Sequence, residues 1–146
     1  MAEVSNSKLF ETIKGIQSIK DALIVLVKTE WNAAIVDELE RGCLKVCQEN
    51  NIQTKTIVVP GAIEIPFAIQ QSWSNDKTTS AFVALGCVVR GGTPHFEYVC
   101  QSVTQGITQL NLSLPVPVIF GVLTVDSNEQ AKERIGGVHG HKGEEA

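Results

Sequence analysis

The sequence predicts an α/β protein, a three-layer α/β/α sandwich with a central four-stranded parallel sheet. Two observations carry that expectation. Short apolar runs alternate four times with longer segments whose apolar residues recur at helical spacing. The runs also lack a polar face, as strands do when helices cover both sides of a sheet. The 146 residues suit one domain, taken as 1–146, with volume enough for a core. Hydrophobic content of 43% against 19% charged residues is that of a folded chain and excludes disorder.

Residues 1–20 hold Phe10, Ile13 and Ile16, a weak amphipathic pattern that suggests an arm packing on a neighbouring subunit. The first strand is expected over 22–27, Ala-Leu-Ile-Val-Leu-Val. Trp31-Asn32 then precedes a helix marked by Ile35, Val36, Leu39, Cys43, Val46 and Cys47. A second strand over about 54–59 stops at Pro60-Gly61, a strong turn signal. Ala62 to Pro66 leads into a helix through Trp73, with Pro66 tolerated in its first turn. A polar loop over 74–80 separates this helix from the central strand.

That strand runs into the segment most suggestive of chemistry, Arg90-Gly91-Gly92-Thr93-Pro94-His95-Phe96-Glu97. The glycines break the strand, Thr93 is placed to cap, and Pro94 suits the first helical position. Phe96, Val99, Cys100, Val103, Ile107 and Leu110 continue at helical spacing to near Asn111. Residues 118–123 make the fourth strand. Asp126 with Glu129 and Ser127 with Gln130 form overlapping capping boxes, opening a helix expected to carry Arg134 and to end before Gly136-Gly137.

Twelve basic against sixteen acidic residues give a net charge of −4, and no stretch is rich in Lys or Arg. That argues against a nucleic-acid partner. No apolar run is long enough to span a membrane, and residues 1–20 lack a signal peptide's apolar core. A cytoplasmic protein is expected, or the mature form of one from an organelle stroma. The four cysteines include no Cys-x-x-Cys pair. Cys87 falls in a buried strand and Cys100 on an apolar helix face, so free thiols are expected. His139 and His141 stand in a Gly-rich tail without companion ligands, which points away from a metal centre.

Ligands of parallel α/β sheets bind outside the carboxyl ends of the strands. Glu30-Trp31-Asn32, Gly61 to Glu64 and Gly91 to His95 all fall at such ends. The third is a strand–glycine–helix junction whose free N–H groups suit an anion such as phosphate. A histidine in that first turn invites proton transfer, although glycines also serve turns alone and an early-helix histidine can be merely solvated.

Taken together these segments resemble the lumazine synthase family. The resemblance runs from residue 22 to the end. It rests on Trp31-Asn32, Val59-Pro60-Gly61-Ala62-Ile63-Glu64-Ile65-Pro66, Ala84-Leu85-Gly86, Arg90 to Phe96, Pro117 to Thr124, Glu129-Gln130-Ala131 with Arg134, and Lys142-Gly143. It implies condensation of 5-amino-6-(D-ribitylamino)uracil with 3,4-dihydroxy-2-butanone 4-phosphate, the penultimate step of riboflavin biosynthesis, with no metal or organic cofactor. In that reaction His95 would act as general acid/base. Gly92, Thr93, Arg134 and Lys142 would bind phosphate, with Arg134 reaching in from the adjacent subunit. Trp31, Val88, Val89 and Phe120 would meet the pyrimidine, Phe120 again from a neighbour. Ala62, Ile63 and Glu64 would bind the ribityl chain. Arg90 and Glu97 flank the site with no role assigned to either.

The resemblance further implies a homopentamer with active sites between subunits and, given the short spacing from Arg134 to Lys142, a 60-subunit icosahedral shell. Riboflavin is expected as a product-like inhibitor, favoured by the indole of Trp31. The alternative is a catalytically weak flavin-binding or shell-forming relative on the same fold. Two departures stand out: His141 replaces the family's usual asparagine before Lys142-Gly143, and the family continues for about another helix beyond Glu144-Glu145-Ala146, so the C-terminal helix is expected to be truncated.

Overall fold

The computed structural model describes residues 21–146, so the expected N-terminal arm lies outside the described residues. Strands β1 (Leu23–Thr29), β2 (Gln53–Val59), β3 (Ala81–Val89) and β4 (Val118–Val125) form one sheet in the order β2-β1-β3-β4. Every pairing in it is parallel. Helices α1 (Ala33–Glu49), α2 (Ile65–Asn75) and α3 (His95–Ser113) connect consecutive strands. A short α4 (Asn128–Lys132) follows β4.

The period-2 alternation of side chains divides each strand between two cores. Val25, Val27, Phe82, Ala84, Val118 and Val122 pack with Ile65 and Ile69 of α2 and Val103 and Ile107 of α3. Leu26, Val83, Leu85 and Leu123 pack on the other face with Ile35, Val36, Leu39 and Cys43 of α1. This is the three-layer sandwich that the alternation predicts. Each wholly buried Leu, Ile or Phe in it stabilises the fold by about 1.5–3 kcal/mol. Among the described residues no helix is long and apolar enough to cross a membrane.

Several boundaries differ from expectation for identifiable reasons. β2 is an edge strand, and Gln53 to Thr56 are exposed, so it does keep a polar side. One of its hydroxyls, Thr56 Oγ1, donates to Glu40 at 2.8 Å. Glu40 also accepts from Lys28 Nζ of β1 at 2.5 Å, and Asp37 accepts from the same ammonium at 2.9 Å. Burial alone would lower the Lys28 pKa, but these two carboxylates outweigh it and hold the amine above its ordinary value. Thr93 does not cap α3; Pro94 occupies the N-cap position and offers no side-chain acceptor. Arg134 lies beyond α4, in the turn that leads to β5 (Ile135–Gly137). Of the two capping boxes only one half forms as drawn, with Ser127 Oγ accepting from Gln130 N at 3.3 Å. The Asp126 carboxylate is engaged elsewhere, by Arg90.

The tail is more ordered than its glycines suggest. β5 pairs antiparallel with β6 (Gly140–His141), and α5 (Lys142–Glu145) then docks on α1. The approach is close: a Cβ on Gly143 would stand 2.0 Å from the Leu39 carbonyl oxygen, and one on Gly42 would stand 2.2 Å from the His141 ring. His141 Nδ1 accepts from Glu144 N at 3.3 Å, and Lys45 pairs with Glu144 at 2.9 Å.

One joint ties the strand ends together. Asn32, at the start of α1, is left-handed at φ 60°, and its Nδ2 donates to the Cys87 carbonyl of β3 at 2.7 Å. Asparagine tolerates that backbone better than most non-glycine residues.

Two predictions follow from these contacts. Gly143→Ala drives a methyl group into backbone and is expected to cost about 1–3 kcal/mol in urea unfolding, whereas Gly91→Ala, with open space around it, stays within about 0.5 kcal/mol. Asn32→Ala loses a hydrogen bond and gains left-handed strain, so it should cost about 2 kcal/mol, and Asn32→Gly about 1 kcal/mol less. Equal losses in the two Asn32 variants would remove backbone strain from the account.

Candidate active site

The strand order reverses direction at β1 and β3. The chain leaves β1 toward α1 on one face and leaves β3 toward α3 on the other, which opens a crevice between their carboxyl ends. β3 also runs on past β1: their pairing stops at Lys28 with Leu85, while β3 continues to Val89 beside β4. Val88 and Val89, half-buried, are the last residues of that overhang.

One wall of the crevice comes from β1 and β2. The Trp31 N–H donates to the Pro60 carbonyl at 3.1 Å, one step beyond the Glu30 N–H to Val59 bond at 2.8 Å. Thr29 Oγ1 donates to the Trp31 carbonyl at 3.1 Å. The indole lies against Gly61, where a Cβ would come within 2.9 Å of its ring. Trp31 is nevertheless 68% exposed, so it is no core residue; it presents a ring to solvent. Glu64 closes this wall, in the 3-10 turn Ala62–Glu64, with Oε2 accepting from the Gly61 N–H at 2.9 Å. Ala62 is buried beneath, and Ile63 is exposed.

The other wall is the loop from β3 to α3. Gly91, Gly92, Thr93 and His95 are all exposed, and neither glycine has another atom near the place of a Cβ. The N-cap residue of α3, Pro94, supplies no side-chain acceptor to the first turn. Arg90 governs this loop. Its backbone N–H donates to the Val125 carbonyl at 2.8 Å, its Nε donates to Asp126 at 2.7 Å, and its Nη1 pairs with Glu97. Its guanidinium lies 4.2 Å from the centre of the Phe96 ring. The Arg90 hydrogen bond holds the Glu97 carboxyl below its ordinary range.

Of the remaining predicted residues, Phe120 lies apart from this rim within the chain. Phe120 pairs with Ala84 in the middle of β4, five residues before the end of that strand, or about 17 Å. It is 41% exposed on an edge strand. Arg134 donates from Nη1 to the Gln130 carbonyl at 2.7 Å and lies 3.7 Å from Glu133. Its carbonyl accepts from the Lys142 N–H at 2.8 Å, so these two residues are neighbours. The Lys142 ammonium pairs with Glu145 at 2.6 Å. Asn32 and Arg90 are the positions to which sequence reasoning gave no role. An asparagine directly after a strand and before a helix was the available signal for the first; nothing local marked the second.

The thiols are poor nucleophiles. Burial pushes Cys43 up to about 12 and Cys87 up to about 11, and raises Cys47 and Cys100 as well. Among the described residues no cluster of three or more His, Cys, Asp or Glu could hold a metal ion. The arrangement offers an exposed aromatic plate, a carboxylate, a helix N-terminus and an imidazole on one rim.

Known proteins resemble the chain over nearly all of this structure. The family model for 6,7-dimethyl-8-ribityllumazine synthase matches residues 21–146. The 6,7-dimethyl-8-ribityllumazine synthase of Porphyromonas gingivalis is 47% identical over 130 residues, covering 87% of this chain and 80% of that protein. The protein of the same name from Parabacteroides distasonis is 44% identical over 126 residues, 84% of this chain and 78% of its own length. That of Streptomyces avermitilis is 42% identical over 135 residues, 90% and 83% of the two chains. A match spanning every described strand and helix, at these identities, places the chain in the 6,7-dimethyl-8-ribityllumazine synthase family.

Proposed function

We propose that this protein condenses 5-amino-6-(D-ribitylamino)uracil with 3,4-dihydroxy-2-butanone 4-phosphate, releasing 6,7-dimethyl-8-ribityllumazine, phosphate and water. The observation that carries the reading is the meeting of Trp31, Gly61 to Glu64 and Gly91 to His95 at one rim, in a chain of this family. The pyrimidine stacks on the exposed indole of Trp31, and its polar edge meets the backbone at Val88 and Val89. The ribityl hydroxyls need partners once they leave water, and Glu64 with the backbone of Ala62 and Ile63 supplies them. The phosphate sits at the uncapped start of α3, at Gly92 and Thr93.

Imine formation, phosphate elimination and ring closure each move protons near neutral pH. An imidazole is suited to that work, and His95 stands in the first helical turn beside the phosphate position. Arg134 and Lys142 complete the phosphate site with positive charge. The chain's own Phe120 lies too far down β4 to reach its own rim, which supports a site completed by the Phe120 of an adjacent subunit; the resemblance to the family adds that subunit's Arg134. Exposed Phe67, Tyr98 and Leu112 supply apolar surface for such contacts. On this reading the protein is a homopentamer that builds a 60-subunit shell and works in the cytoplasm, or in the stroma of an organelle.

The exposure of Trp31 also favours riboflavin as an inhibitor stacked on the same plate. The test mixes protein with both substrates and follows lumazine fluorescence. A rate above the uncatalysed background is expected; its absence, with riboflavin still bound, would favour the catalytically weak flavin-binding relative. His95→Ala should slow turnover by about 10²–10⁴-fold with the fold intact. Arg134→Ala should raise KM for the phosphate substrate by about 10-fold or more, as loss of a charged hydrogen bond does. Wild-type values in either variant would remove that residue from its role.

A further inference from the structure

We infer that Arg90 is a positioning residue that sets the first turn of α3, and through it the imidazole of His95 and the anion-binding N–H groups. The inference rests on the synthase reading for its kinetic consequence only; its structural part stands on the geometry.

Among the described residues, the loop between β3 and α3 is fastened otherwise only by its own backbone turn, Glu97 N–H to the Pro94 carbonyl at 3.1 Å. Gly91 and Gly92 have nothing near the place of a Cβ, and the N-cap residue Pro94 gives α3 no side-chain cap. Glycine pairs without contacts leave the backbone free to wander. Against this background Arg90 makes four attachments. Its backbone N–H extends the β3–β4 ladder to Val125, and its Nε holds Asp126 at the end of β4. Its Nη1 holds Glu97, and its flat face covers the Phe96 ring. One planar fork therefore joins the ends of two strands to the two residues that directly follow His95. A lysine cannot reproduce this, since it offers neither the fork nor the stacking face.

All three charged side chains are substantially exposed, at 43%, 46% and 64%. Exposed pairs of this kind contribute little to global stability. What Arg90 supplies is local: it orders a turn that would otherwise fray, and it does so on the carboxyl rim where His95 stands. Misplacement of a reacting group by about an ångström can cost on the order of 100-fold in rate.

The test compares the whole chain with Arg90→Met, Arg90→Lys and Glu97→Gln by amide hydrogen exchange and by steady-state kinetics. In Arg90→Met the amides of Arg90, Glu97 and Tyr98 should exchange about 10-fold faster or more, while those of Val103 to Leu110 keep their protection. The same variant should lose about 10- to 100-fold in kcat, with KM for the ribitylaminouracil within about 2-fold. Arg90→Lys should recover little of either effect, and Glu97→Gln should show a smaller version of both. Unchanged exchange in the first turn of α3 would overturn the inference, as would uniform acceleration through the whole helix. Faster exchange with an unaltered kcat would overturn the catalytic consequence. A wild-type protein that makes no lumazine would count against the synthase reading alone, because the exchange data still decide what Arg90 holds.

Discussion

Parallel pairing obliges all four strands to end on the same side of the sheet, and the rest of the molecule follows from that constraint. The segments after β1, β2 and β3 have to share one rim, however far apart they are in sequence. The reversal of strand order at β1 and β3 then parts two of those segments and opens the crevice between them. Asn32 keeps the opening from drifting. By accepting a left-handed backbone it turns its amide onto the Cys87 carbonyl, and so fixes Trp31 relative to the overhanging end of β3. A strained residue kept in place by a tertiary hydrogen bond is a common feature of sites that must hold their shape.

The rim is built with little buried polarity. Trp31, His95, Arg90 and Glu97 are all exposed in the single chain; Trp31 is held through its backbone, and Arg90 and Glu97 through their ion pair, rather than by enclosure. An open rim excludes water poorly, and condensation chemistry with an imine gains from exclusion. The placement of Phe120 halfway along an edge strand is economical if that residue serves another subunit's rim. It is wasteful if each chain works alone.

Much of this was legible in the sequence because the central strands are buried on both faces. Val25 to Val27 and Phe82 to Leu85 read as continuous apolar runs, and helices follow them with clear spacing. β2 was harder to bound because it is an edge strand whose first residues face water. Ala131 and Ile135 stand at helical spacing, which extends α4 on paper; in the structure Ile135 packs into the same core from β5 instead. Thr93 is a good capping residue, yet Pro94 holds the cap position. The two joints escaped for a deeper reason. Asn32 bonds a residue 55 positions away and Arg90 one 36 positions away, so their partners exist only once the sheet has formed. The segments of the candidate site were visible; what positions them was not.

The most direct measurement is a crystal structure of the protein with 5-amino-6-(D-ribitylamino)uracil bound. The account predicts the pyrimidine stacked on Trp31, the ribityl chain along Ala62 to Glu64, and the reacting amine facing His95, with Phe120 of an adjacent subunit closing the pocket. The ligand seated instead in the groove of about 380 Å³ between α2 and α3, lined by Phe67, Gln70 and Gly106, would contradict the assignment of the carboxyl rim.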